Sequence, residues 1–95
     1  MKKQLIYTFR QHLKQKLKDP EFRKAWKESE AEYLLATAII EKRLAQKISQ
    51  RQLAKKVKTT QAVISRIESM NANPSFSLLK RIAAALDSDL VFNFK

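Results

Sequence analysis

The stretch SQRQLAKKVKTTQAVISRIES, residues 49 to 69, contains two short apolar patterns, each opened by a hydroxyl side chain. Leu53, Ala54 and Val57 follow Ser49, and Val63, Ile64 and Ile67 follow Thr60. Steps of three and four residues place such side chains on one face of a helix. Serine and threonine accept from the first free backbone N–H groups of a helix, so Ser49 and Thr60 predict two separate helix starts. So few residues part the two patterns that a tight turn must join them.

On the N-terminal side, Leu5, Phe9, Leu13 and Leu17 recur every fourth residue among Lys and Arg, predicting an amphipathic helix from about residue 3 to 17. Asp19-Pro20-Glu21 reads as a cap, a first-turn proline and a first-turn acid, starting a short second helix with Phe22 and Trp26. Ser29 and Glu32 have the spacing of a capping box, which predicts a third helix from near Glu30. Leu34, Leu35, Ala38, Ile39, Leu44 and Ala45 give it an apolar stripe too broad for packing on one side. On the C-terminal side, Asn71-Ala72-Asn73-Pro74 is a turn and Ser75 caps a helix with Leu78, Leu79, Ile82, Ala83 and Leu86. Leu90, Phe92 and Phe94 then alternate with Val91, Asn93 and Lys95, which predicts one strand whose backbone needs a partner strand from another chain.

The expected architecture is all-α: a five-to-six-helix domain and one short C-terminal β-strand. Residues 1–28 form a basic helical extension, 29–88 the central unit and 89–95 the strand, together one compact domain. A length of 95 residues suits a single core. With no cysteine, packing rather than disulfides or thiolate metal sites must hold the chain, which fits a reducing, cytoplasmic setting. The absence of glycine removes the Gly-rich phosphate loops of nucleotide enzymes. The 20 basic and 9 acidic residues leave +11, a field that favours a polyanion. The most one-sided stretch holds Lys42, Arg43, Lys47, Arg51, Lys55, Lys56 and Lys58 with no acid between them, which suggests a surface that meets an anion.

Two capped helices joined by a tight turn are the outline of a helix-turn-helix, in which the second helix enters the DNA major groove and the first braces it against phosphates. Ser49-Gln50, Leu53-Ala54, Thr60-Gln61, Ile64-Ser65-Arg66-Ile67-Glu68 and Asn73-Pro74-Ser75 stand in the order and spacing of a known family. Over about residues 32 to 88 the chain resembles the lambdoid phage repressor and Cro class, the XRE-type family, with its lambda-repressor-like fold. Two positions depart from it: Lys58 in the turn and Met70 after the second helix stand where the family usually has glycine. A non-glycine residue in the left-handed region costs roughly 1 kcal/mol. The basic leading helix, the Asp-Pro-Glu-Phe start, the Asn-Ala-Asn-Pro-Ser turn and the apolar end are similar to HigA-type antitoxins. That resemblance implies a bacterial or prophage protein that neutralises a HigB/RelE-type ribonuclease toxin and represses its own operon. A stand-alone XRE-type repressor without a toxin is the alternative.

With Ile64 and Ile67 inward, Gln61, Ala62, Ser65, Arg66 and Ser69 turn toward solvent or DNA. Glutamine can bond adenine at two points and arginine guanine, so Gln61 and Arg66 are the expected readers, with Ala62 against a thymine methyl and Ser65 beside them. The competing role for Arg66 is an ion pair with Glu68 or another acid, and for Gln61 a simple helix-start residue. Gln50, Arg51, Thr59, Thr60, Ser69 and Asn71 are the expected phosphate contacts. By resemblance, the Gln50 side chain also packs near Gln61.

Leu5, Phe9, Leu13, Leu17, Phe22, Trp26, Leu90, Phe92 and Phe94 supply more apolar surface than such a domain needs, and are the expected contacts with a protein partner; completing the domain's own core is the rival role. A homodimer is expected, because one such domain covers half of an operator in double-stranded DNA. His12 is the only histidine. It has no neighbour in sequence for acid/base or metal work, so no catalysis, metal or cofactor is expected. The basic first helix also suits a membrane surface or RNA, but no run reaches the roughly 20 apolar residues of a bilayer span and no second anchoring signal is seen, so no membrane partner is expected.

Overall fold

The computed structural model describes residues 11–94. Five helices carry them: α1 (helical residues 11–16), α2 (Pro20–Ala45), α3 (Gln50–Lys56), α4 (Gln61–Glu68) and α5 (Phe76–Ala85). Each start after the first lies where a cap predicts it. Asp19 accepts from the Glu21 N–H with Pro20 in the first turn. Thr60 accepts from Val63 and Ser75 from Leu78. Ser49 and Gln52 form a reciprocal capping box, the Ser49 hydroxyl taking the Gln52 N–H and the Gln52 side chain the Ser49 N–H.

The helix break expected at Ser29 does not occur: α2 runs unbroken for 26 residues, about 39 Å at 1.5 Å per residue. The Ser29 hydroxyl donates to the Ala25 carbonyl one turn back at 3.2 Å, the other local bond open to serine within a helix. Trp26 and Tyr33 stack edge to face across that point with ring centroids 4.4 Å apart.

α3 and α4 pack on each other and on α2, with α5 closing the other side. Ile39 from α2, Leu53, Ala54 and Val57 from α3 and its cap, Ile64 and Ile67 from α4, and Leu78, Ile82 and Leu86 from α5 and its cap form one buried cluster. Leu53 and Ile64 sit at its centre, fully buried, which accounts for the apolar spacing of residues 49 to 69.

The expected C-terminal strand is absent among the described residues, and residues 88–94 have no repetitive structure. No second strand exists there to pair with it, so alternation alone has no ladder to join. The alternation does not sort the side chains either: Leu90 is half-buried, but Phe92 and Phe94 are 62% and 90% exposed. Phe92 packs on Phe76 at 5.5 Å and on Phe94 at 6.0 Å.

All four helices from α2 onward end the same way. Lys47, Lys58, Met70 and Asp87 take φ of 59°, 59°, 66° and 51°. In each case the left-handed residue's N–H donates to the carbonyl three residues back and the next N–H to the carbonyl five back, at 2.8 to 3.3 Å. These are Schellman ends with no glycine in any of them. Lys58 and Met70 thus hold the backbone shape that glycine adopts at no steric cost.

Candidate nucleic-acid interface

The face of α4 away from Ile64 and Ile67 carries Gln61, Ala62, Ser65 and Arg66, all exposed, as their spacing predicts. Val63 is half-buried against the core beside the inward pair. Ser69 and Asn71 follow at the helix end, also exposed. There the Ser69 hydroxyl donates back to the Ser65 carbonyl at 2.9 Å, and the Asn71 amide donates to the Ser69 hydroxyl at 3.3 Å. Thr60 caps α4 through its side-chain oxygen, and Thr59 before it is half-buried. Arg51 is exposed one residue into α3.

An ion pair absent from the sequence expectation ties α4 to α2. Arg43, near the end of α2, makes a two-point contact with Glu68 at the end of α4: Nε to Oε2 and Nη2 to Oε1, both 2.8 Å. The two side chains are 12% and 5% exposed. Arg43 also donates to the Ile48 carbonyl at 3.0 Å, and the Gln50 amide donates to Glu68 Oε1 at 3.1 Å. One carboxylate therefore joins the end of α2, the start of α3 and the end of α4. Charge-assisted bonds in a planar two-point pair are strong and directional.

Two sequence readings change accordingly. Arg43 belongs to this internal network and not to the outward basic stretch, whose Lys42, Lys47, Arg51, Lys55, Lys56 and Lys58 are exposed. Glu68 pairs with Arg43 and not with Arg66, which stays on the outer face. The Gln50 side-chain amide, which the resemblance places near Gln61, donates to Glu68. The lone acid in ISRIES, an arginine six residues before the cap at Ser49, and the glutamine beside that cap were the available signal. Two further side chains brace the unit: Arg81 donates to the Val57 carbonyl at 2.9 Å, and Gln46 to the Leu86 carbonyl at 2.8 Å.

Of the apolar side chains expected to meet a partner, Leu5 and Phe9 lie outside the described residues. Leu13, Phe22 and Trp26 come together, with His12, Tyr33 and Met70, around an open cavity of about 260 Å³. Lys16 reaches over the Phe22 ring, its Nζ 5.8 Å from the centroid. Leu17 is half-buried at the end of the first turn region, where its carbonyl accepts from Arg23 Nε at 3.0 Å. Leu90, Phe92 and Phe94 lie elsewhere, with Phe92 against the start of α5. Among the described residues no helix is long and apolar enough to cross a membrane.

A family model described as helix-turn-helix matches residues 39–93, from the middle of α2 through α3, α4 and α5 into the C-terminal tail. No curated protein and no solved structure matches the chain.

Proposed function

The chain belongs to the XRE-type helix-turn-helix family of DNA-binding regulators, and from that premise we propose a repressor that reads a specific operator through α4 and acts as the antitoxin of a HigB/RelE-type ribonuclease. The observation that carries the DNA reading is the exposed row Gln61, Ala62, Ser65 and Arg66 on a helix tied to α2 by the part-buried Arg43–Glu68 pair. Rigid support matters because base readout demands that a side chain arrive at a groove edge without further ordering. Gln61 and Arg66 read bases, with Ala62 and Ser65 between them. Arg51, Thr59, Thr60, Ser69, Asn71 and the main chain at Gln50 hold phosphates, which position the duplex without reading it. Two copies bind as a homodimer, one to each half-site about one helical turn apart.

The antitoxin reading draws on surface that α4 does not need. Leu13, Phe22 and Trp26 line an apolar opening beside the first half of α2, with Met70 in the same lining, and Phe76, Phe92 and Phe94 expose aromatic rings on α5 and the tail. Such patches mark contact with another protein. Selection from a random duplex pool tests the first half: the chain should enrich one palindromic site, and an unenriched pool after several rounds counts against sequence reading. Co-expression with the product of the adjoining reading frame tests the second. Growth arrest by that product, relieved by this chain and restored by Trp26→Ala, supports a toxin partner; an adjoining product without toxicity leaves the stand-alone repressor.

A further inference from the structure

Gln61 is the first residue of α4 and Glu68 the last, about 10 Å apart at 1.5 Å per residue. The buried side chains of this helix, Ile64 and Ile67, and the carboxylate paired with Arg43 all lie beyond its first three residues. Over a lever of about 10 Å a tilt of about 3° carries Gln61 through about 0.5 Å, the tolerance within which a binding group must be held. The place of Gln61 therefore depends on the turn, residues 57–60, that delivers the chain into α4.

That turn is held from α5. Arg81, in the middle of α5, donates from Nη1 to the Val57 carbonyl at 2.9 Å. Val57 is the cap residue that closes α3, and a guanidinium at the carbonyl end of a helix meets both a free acceptor and the negative end of the helix dipole. The residues that follow are constrained one after another. Lys58 takes φ of 59°, the Thr59 N–H donates to the Ala54 carbonyl at 2.9 Å, and the Thr60 side chain caps α4. Glu68 is the one acid between Lys42 and Leu86, and Arg43 takes it. Arg81 thus bonds to main chain at the entrance to α4 in a segment that offers it no other carboxylate.

We propose that Arg81 is a positioning residue for base selection: from α5 it holds the turn that aims the first residues of α4, so that Gln61 reaches its base in register. The inference rests on α4 as the DNA reader and goes beyond it by giving the two readers separate supports. Gln61 depends on α5 through Arg81, and Arg66 depends on α2 through the neighbouring Glu68.

The test uses the full chain and the operator obtained by selection. Discrimination is the ratio of Kd between duplexes changed at one base pair and the operator itself, so the loss of one positive charge, which weakens all sequences alike, cancels. Gln61→Ala and Arg66→Ala first map the position that each side chain reads. Arg81→Met should lower the ratio at the Gln61 position by about threefold or more, out of the roughly tenfold that a two-point base contact supplies, and leave the Arg66 position within about twofold. Arg81→Lys keeps a charged donor and should restore most of the ratio. With Gln61→Ala already in place, Arg81→Met should change nothing further at that position. Arg81→Gln, measured alongside and read by the same ratio, decides if the methionine variant loses its helical circular dichroism. Equal relaxation at both positions, an unchanged ratio at the Gln61 position in a folded variant, or no restoration by lysine overturns the inference and leaves α4 as the reader. If neither Gln61→Ala nor Arg66→Ala relaxes any position, the reading face itself falls and the role of Arg81 with it.

Discussion

Glu68→Ala removes the carboxylate on which three helices converge. It deletes two charge-assisted bonds of 2.8 Å from Arg43 and one of 3.1 Å from Gln50. The Arg43 guanidinium, 12% exposed, is left with the Ile48 carbonyl as its remaining acceptor. Breaking one side of a buried pair costs about 3 to 5 kcal/mol, mostly through the uncompensated charge, which rivals the whole stability of a small domain, roughly 5 to 10 kcal/mol. With an m-value of about 1.3 kcal/mol per molar urea for a chain of this size, the midpoint should fall by about 2 to 4 M. Urea titration followed by circular dichroism at low temperature measures this. The double variant Arg43→Met with Glu68→Leu provides the control. Replacing both charges by apolar groups of similar volume is often neutral, so the double should be more stable than either single charge removal. A midpoint shift under about 0.5 M for Glu68→Ala, or a double variant as unstable as the sum of the singles, would refute the view that this pair fixes the helix-turn-helix.

Gln61→Ala and Arg66→Ala should each weaken binding to the selected operator by roughly 1 to 3 kcal/mol and relax choice at one base position; gel-shift titrations in which both match the parent would exclude α4 as the reader. Operator affinity should fall steeply with salt, each phosphate contact adding about −0.9 to the slope of log K against log salt. Arg51→Glu should weaken all sequences about equally and flatten that slope, so a salt-independent titration would assign the +11 charge to another role. Lys47→Gly and Asp87→Gly relieve left-handed backbone away from α4; the relief outweighs the added freedom of the unfolded chain by about 0.5 to 1 kcal/mol each. Differential scanning calorimetry should show higher Tm for both, and a drop in either would mean that the native side chain compensates locally.

The helix starts were legible because a cap is a local device: Asp19, Ser49, Thr60 and Ser75 each act on an N–H within a few residues of themselves. The core of α3, α4 and α5 was legible because its apolar period is short and regular. Ser29 misled because the same hydroxyl can cap a helix or bond back into one, and only the stacking of Trp26 on Tyr33 through the continuous helix distinguishes the two. The terminal alternation misled because period two describes a strand only where a second strand pairs with it. Arg43 and Glu68 are 25 residues apart, a separation at which charge patterning does not pair one residue with the other, and only their places relative to the cap at Ser49 hinted at the contact. The left-handed positions at Lys58 and Met70 followed from the family pattern; those at Lys47 and Asp87 followed from no pattern, since neither stands where glycine was expected.

The unbroken α2 has a mechanical consequence. A helix of 26 residues without a proline or glycine in its interior is a stiff rod, about 39 Å long. Its far end carries Phe22 and Trp26, and its near end carries Ile39 in the core and Arg43 in the part-buried pair. No hinge separates the two ends. A body gripping Trp26 is therefore held at a fixed azimuth and distance from α4, and cannot swing to clear an obstacle on the duplex. Trp26 stands 17 residues before Arg43, about 26 Å along the rod at 1.5 Å per residue. On the proposed reading, whether two partner-loaded copies fit side by side on one duplex is set by the angle between α2 and the duplex axis, a quantity of geometry rather than of affinity.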